Sequence, residues 1–287
     1  MAEPVRKKQK IRKRITKYVG SEAPLREFAG NISKTAKHAI DEAQTLSLEE
    51  IEVSIDRLPK KLEGFRIVHL SDLHHSTFTA LDHINNAVNT ANFLKPDMVV
   101  LTGDYVSHDA AYIEPVAKAL KELVAEFGVY ACLGNHDHWT DPEHVTKALE
   151  KVGITVLTNR GLRVEAHGAS FWLGGVDDHM VGKADLAAAL KGSFPDETKL
   201  LLAHNPIIFR QTARAGVDLT FSGHTHGGQV KVRDPEKRIL PRRKLSSGLH
   251  KRKDSQIYIT RGIGTVVLPV RFQCPPEVSL ITLRSSD

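Results

Sequence analysis

The sequence predicts a layered α/β sandwich, and three observations carry that expectation. From about residue 51 onward, short apolar runs alternate with amphipathic stretches. The second half is richer in strand-like segments than the first, which asks for a second sheet facing the first. Several of the apolar runs also end alike, in a loop that opens with Asp, Asn or His.

Taken in order, "IEVSID" alternates apolar and polar as a half-buried strand does, and "FRIVHLSDLHH" reads as a strand with a polar end. "HINNAVNTANFL" reads as a helix, and "PDMVVLTGDYV" as a strand bounded by Pro96 and Gly103. "PVAKALKELVAEF" is predicted helical, "GVYACLGNHD" a strand and turn, and "PEHVTKALEKVG" a helix with Pro in its first turn. "ITVLTN", "LRVEAH" and "SFWLGGVDD" follow as strands, "KADLAAALKG" as a helix and "TKLLLAHNP" as a strand. "DLTFSGHTHGGQ", "QIYITRGIG" and "EVSLITLR" complete the strands. Ahead of all these, Leu25, Phe28, Ile32, Ala36 and Ile40 recur every three to four residues, so 18–50 is expected to be a helical extension packed on the domain. A separate membrane-surface helix is the alternative for that stretch. The resulting organisation is a basic arm (1–17), the helical extension (18–50) and one domain over 51–287, with no internal repeat.

Bulk properties narrow the class. With 41% hydrophobic and 26% charged residues, the 287-residue chain is composed like a soluble globular protein with a sizeable core. No run approaches the roughly 18 to 20 consecutive apolar residues of a membrane-spanning helix. Cys132 and Cys274 are far apart and form no CxxC pair, so a reducing compartment is expected rather than a disulfide framework. The first 17 residues hold eight Lys/Arg against one Glu, about +7, so the rest of a chain of net charge +6 is near neutral. No apolar segment of the kind found in secretory or twin-arginine signals follows them. A cytoplasmic location is the expectation. Peripheral contact at the inner face of the cell membrane stays open, because a basic arm suits anionic headgroups or nucleic acid as well as water.

The polar strand ends carry the chemistry. Asp72 and His74 follow "IVHL", and Asp104 follows "VVLTG". Asn135, His136 and Asp137 follow "YACLG", His204 follows "LLLA", and His224 and His226 follow "FSG". Ligands of α/β sheets bind in the crevice beyond the carboxyl ends of the strands, so residues spread over some 150 positions can meet there. Carboxylate, amide oxygen and neutral imidazole suit manganese, iron or zinc, and no thiolate stands among them. Any single one of the 15 histidines is better explained as a surface or capping residue than as a ligand. Five such blocks in order are better explained as a metal site. His83, His108, His144, His167 and His250 keep the structural explanation, and His75, His138 and His179 are left unassigned.

"DLH", "GD", "GNHD", the His of "AHNP" and "GHTH" together resemble, in order, the five blocks of the calcineurin-like metallophosphoesterases, from about Phe65 to the C-terminus. "GIGTVVLPVRFQCPPEVSLITL" is similar to the tail of a branch of small bacterial enzymes, some of which hydrolyse the pyrophosphate of UDP-2,3-diacylglucosamine in lipid A synthesis. The resemblance implies a four-layer αββα sandwich of two mixed β-sheets flanked by helices, with 51–287 as the catalytic domain. It implies two divalent metal ions, manganese first and iron or zinc as alternatives. Asp72, His74 and His226 would hold one ion, Asn135, His204 and His224 the other, and Asp104 would bridge them. His136 would act beside the phosphate as general acid or charge stabiliser, with Asp137 orienting it. The implied reaction is hydrolysis by a water activated between the cations.

Departures from relatives narrow the substrate. The second block reads "GDYVSHD" and lacks the arginine of the GDxxDRG found in protein phosphatases, which disfavours a phosphoprotein substrate. His75 and Ser76 replace the glycine common after the first block. Residues 231–253 hold ten Lys/Arg against two acids, directly after the last metal block. Arg242 and Arg243 of that stretch, with Arg271 in the apolar loop beyond it, are expected to meet an anionic substrate. A lipid-linked or nucleotide-sugar phosphodiester or pyrophosphate fits these features. A nuclease or cyclic-nucleotide phosphodiesterase on the same site is the first alternative, and a non-catalytic metal-binding scaffold the second. No aromatic stripe interleaves with the basic run, which counts against nucleic acid.

Overall fold

The computed structural model describes residues 34–230 and 245–286. Among the described residues, twelve strands form two six-stranded mixed sheets. The first has the order β1 (Ser47–Ile55), β12 (Glu277–Ser285), β2 (Arg66–Leu70), β3 (Met98–Thr102), β4 (Val129–Cys132), β5 (Thr155–Val156). The second has the order β10 (Gly248–Arg252), β11 (Ser255–Ile259), β9 (Leu219–Ser222), β8 (Lys199–Leu202), β7 (Ala169–Gly175), β6 (Arg160–Ala166). Within the first sheet β2, β3, β4 and β5 are parallel and β12 runs antiparallel to β2. In the second, β7, β8, β9 and β11 are parallel, with β6 and β10 antiparallel at the edges.

The central strands read as continuous apolar runs because both of their faces are buried. On β3, Met98 and Val100 point between the sheets while Val99 and Leu101 point outward. Between the sheets they meet Leu200, Leu202, Phe171 and Phe221 of the second sheet. The outward residues pack on the helices Leu81–Phe93, Ile113–Leu120 and Pro142–Lys151 through Ile84, Val88, Val116 and Leu149. Leu201 and Val176 face outward on the second sheet, against Ala189 and Ile208 of the short helical turns there. The result is the expected four-layer αββα sandwich of two mixed sheets.

Several elements differ from the sequence expectation, each for a local reason. β1 starts at Ser47, inside the stretch expected to be helical, and pairs along its whole length with β12 from Ser47↔Glu277 to Ile55↔Ser285. The sheet therefore reaches back beyond residue 51. Of the expected helical extension, 34–43 is helix, and residues 1–33, with the basic arm, lie outside the described residues. The helix expected over 115–127 ends at Leu120. Just beyond it, the Asn92 amide donates to the Glu122 carbonyl (2.6 Å) and accepts from the Val124 amide (2.9 Å), holding an irregular path. The helix expected over 183–192 shrinks to Leu186–Ala189, capped by Asp185, which accepts from Ala188 N. β10 and the helix Phe209–Arg214 were not foreseen. Cys132 and Cys274 are free and buried, with no disulfide. No helix among the described residues is long and apolar enough to cross a membrane.

Candidate metal centre

The parallel strands β2, β3, β4, β8 and β9 deliver their carboxyl ends to one end of the sandwich, and each polar block follows one of those ends. Backbone bonds knit the loops together. Asp72 N donates to Gly103 O (2.9 Å), His74 N to Asp104 O (2.9 Å), Gly223 N to His204 O (3.0 Å) and Gly264 N to Asp72 O (2.7 Å). Five of the seven expected ligands sit at positive φ: Asp72 (51°), His74 (46°), Asp104 (56°), His224 (68°) and His226 (49°). Non-glycine residues adopt this region rarely, and it persists where the surroundings over-determine it. Gly103 and Gly134 allow close approach within the site. A Cβ on Gly134 would collide with Asp104 Oδ1, and one on Gly103, itself at φ +85°, would collide with the backbone of Gly134.

Three groups of acid and imidazole donors result: Asp72, His74 and His226; His74, Asp104 and His136; and Asp104, His204 and His224. In the first, His226 Nε2 is 3.3 Å from Asp72 Oδ1 and 3.1 Å from His74 Nε2. In the last, His204 Nε2 is 3.1 Å from Asp104 Oδ2 and 3.2 Å from His224 Nδ1. Asp104 Oδ2 also stands 3.5 Å from His74 Nε2, so this one oxygen faces both groups. Its other oxygen accepts from His136 N (2.8 Å). Asn135 starts the short helix beside them, its Oδ1 buried and without a hydrogen-bond partner. Such an oxygen is unfavourable by about 1–3 kcal/mol unless a donor or cation meets it. Together with oxygen and imidazole donors converging at these distances, it fits divalent cations.

Charge points the same way. Burial pushes His74 down to about 3 and His226 well below its ordinary value, which favours the neutral form of both imidazoles at neutral pH. Burial also works against a charge on His204, but the Asp104 carboxylate outweighs it and holds that imidazole up to about 10. Burial would raise Asp104, yet His204 and His74 hold it below the usual carboxylate range.

Supporting residues act largely through backbone. His204 Nδ1 donates to Thr102 O (2.6 Å), which crosses from one sheet to the other and turns Nε2 toward Asp104. His136 Nδ1 donates to Ser107 O (2.8 Å), leaving Nε2 as its free nitrogen. This corrects the role expected of Asp137. Its carboxylate does not touch the His136 ring and instead accepts from the backbone amides of Asp104, Gly134 and Tyr105, each at 2.8 Å. Asp137 therefore joins two loops. Exposed Trp139 lies with its ring 4.7 Å from that of His136, and His108 at 5.0 Å.

Among the other histidines, His75 Nδ1 donates to Thr79 O and His83 Nε2 to Ile263 O. His138 pairs with Asp177 at 2.5 Å, and His179 is exposed. His69, which the strand pattern gave no reason to single out, is buried between the sheets against Phe221, and burial pushes it down to about 3. Arg271 also departs from expectation. It is wholly buried and donates to the carbonyls of Cys274, Arg261, Gly262 and Gly264, so it braces the loop behind Asp72 and is sealed from substrate. Arg242 and Arg243 lie outside the described residues.

Comparison with known proteins agrees with this geometry. The calcineurin-like phosphoesterase family matches residues 65–228, over half of the chain. The uncharacterized metallophosphoesterase YkuE of Bacillus subtilis is 31% identical over 252 residues, covering 86% of this chain and 88% of its own. Phosphodiesterase YaeI of Escherichia coli is 33% identical over 225 residues, covering 76% and 82%. A Bos taurus transmembrane protein with metallophosphoesterase domain is 29% identical over 264 residues, and the match spans 59% of that protein's length. Among solved structures, sulfate thiohydrolase SoxB of Thermus thermophilus shares the fold at a TM-score of 0.50 and 12% identity, over 79% of this chain and 57% of that one. Matched blocks, converging donors and relatives of nearly equal length lead to one conclusion: the chain belongs to the calcineurin-like phosphoesterases and is a metal-dependent phosphoesterase.

Proposed function

We propose that this phosphoesterase uses a dinuclear centre to hydrolyse a phosphodiester or pyrophosphate bond. The observation that carries the reading is the shared oxygen of Asp104, which faces an imidazole of each donor group. Asp72, His74 and His226 would hold one divalent cation, and Asn135, His204 and His224 the other, with Asp104 common to both. Manganese is the first expectation, and iron or zinc would suit the same donors. When bound, such a pair lowers the pKa of water and neutralises charge on the phosphoryl group.

The chain's own residues supply the rest. His136, held at Nδ1 by Ser107 O, presents Nε2 to hold or deliver a proton to the leaving oxygen. Asp137 keeps the Asp104 and Asn135 loops in register through its three amide bonds, so its part in catalysis is positioning. Thr102 O and Ser107 O fix the tautomers of His204 and His136. Burial keeps His74 and His226 neutral without competition from protons.

The substrate reading is a lipid-linked or nucleotide-sugar pyrophosphate or phosphodiester such as UDP-2,3-diacylglucosamine, with Arg242 and Arg243 as its electropositive lip. Support comes from a relative named as a phosphodiesterase, from the missing protein-phosphatase arginine, and from the basic stretch after His226. The test is a screen of the manganese-loaded enzyme against UDP-diacylglucosamine, glycerophosphodiesters, cyclic nucleotides and oligonucleotides, with products identified by mass. Release of UMP from the nucleotide sugar supports the reading. Turnover confined to oligonucleotides or cyclic nucleotides assigns the site to those substrates instead, and metal retention without any hydrolysis assigns a scaffold.

A further inference from the structure

We infer that the face carrying Phe78, Val267 and Leu268 docks on an anionic lipid bilayer and inserts those three side chains. Phe78 is 55% exposed, Val267 77% and Leu268 58%, a concentration of large apolar side chains that solubility alone does not favour. Phe78 and Pro269, the residue after Leu268, both line one groove of ≈ 280 Å³. The tip is built to project. Val267 sits at φ 67°, a strained conformation for a β-branched residue. The Gln229 side chain clamps it on both sides, donating to Val266 O (3.2 Å) and Leu268 O (3.1 Å) and accepting from Val266 N (3.1 Å).

Charge identifies the partner. Residues 231–244 hold seven Lys/Arg and two acids and follow directly on Val230, whose neighbour Gln229 makes that clamp. Residues 1–33 hold nine Lys/Arg and three Glu, and lead into the helix whose His38 ring packs 6.1 Å from Phe272 at the base of the same loop. These two segments carry more than the whole net charge of +6, so the remainder of the chain is net negative. Both basic segments join the described residues beside this face, at residue 34 and at Val230. Apolar insertion and a basic flank are each marginal alone and sufficient together for reversible membrane binding. Phe93 and Val124 are also exposed, but they lie near the opposite ends of the strands with no such flank.

The position suits the site. Gln229 is three residues beyond His226, and a Cβ on Gly264 would lie 3.0 Å from His74 Cβ, so the donor groups sit directly behind the docking face. Docking rests on these apolar side chains and the basic flanks together, and it stands whichever phosphoester is cleaved.

Co-sedimentation of the full chain with phosphatidylcholine vesicles, with and without about one third phosphatidylglycerol, tests this. The wild type is expected to partition onto the anionic vesicles and to weaken in about 0.5 M salt. The double variant Val267→Asp/Leu268→Asp, and separately Phe78→Asp, should lose binding by about tenfold or more, each keeping its thermal melt and its hydrolysis of soluble bis(p-nitrophenyl) phosphate. Val124→Asp should bind as the wild type does. Equal binding by the double variant, no preference for anionic vesicles, or no binding at all overturns the inference. So does a self-association or RNA complex that the double variant abolishes while vesicles go unbound.

Discussion

The two donor groups at the end of the sandwich are built alike and charged differently. Asp72 and His74 are completely buried and His226 nearly so, and burial leaves both imidazoles neutral beside one carboxylate. In the other group His224 is only half-buried, and His204 is held up to about 10 by Asp104. The first group is closed to solvent, and burial disfavours a proton on either of its imidazoles. The second is more open to solvent, and Asp104 favours a proton on His204 that a bound cation would have to displace. The expectation is unequal affinity: the first group would hold a cation more tightly and the second would exchange it.

The sharpest way to break this contrast is to remove what the groups share. Asp104→Asn should lower turnover by about a thousandfold or more and empty both positions, read as activity and metal content in metal-defined buffer. An unchanged rate would rule out its bridging role. His136→Gln should lower turnover by about a hundredfold or more while metal content stays at the wild-type level. If metal were lost as well, His136 would belong among the ligands, as its place in the middle donor group allows.

His224→Ala tests the difference between the groups directly. It should release one of two bound equivalents in native mass spectrometry and leave the other, whereas His226→Ala should disturb the tightly held one. Loss of both ions from His224→Ala would show the groups to be a single cooperative unit. The smallest expected effect is in protons. His204 is raised to about 10, so it is protonated below that pH and must lose its proton to ligate. Metal affinity at the second group should therefore rise with pH, with about one proton released per ion. Titration calorimetry in buffers of different ionisation enthalpy measures that release, and equal, zero release at both groups would remove the contrast.

The strand ends were legible because β2, β3, β4, β8 and β9 are buried on both faces, so each apolar run stops abruptly where a polar loop begins. Elements whose definition comes from elsewhere in the chain were not. β1 was legible only from Ile51 onward; its first four residues, with Leu48 and Glu50 exposed, read as part of the preceding helical stretch, and pairing with β12 extends the strand back to Ser47. The end of the helix at Leu120 depends on Asn92, some thirty residues earlier. Within the site, Ser107 and Thr102 act through carbonyl oxygens, which leave no trace in side-chain type. Asp137 carries the residue type of a catalytic partner but spends its oxygens on three amides. Arginine is ordinarily exposed, and Arg271 is buried only because turns at 261–264 and 274 bring four carbonyls to its guanidinium.

The most direct measurement is a crystal structure of the manganese-loaded protein with anomalous scattering recorded at the manganese edge. Two peaks are expected, one among Asp72, His74 and His226 and one among Asn135, His204 and His224, with Asp104 within bonding distance of both. A single peak, or peaks that Asp104 does not join, would contradict the dinuclear account.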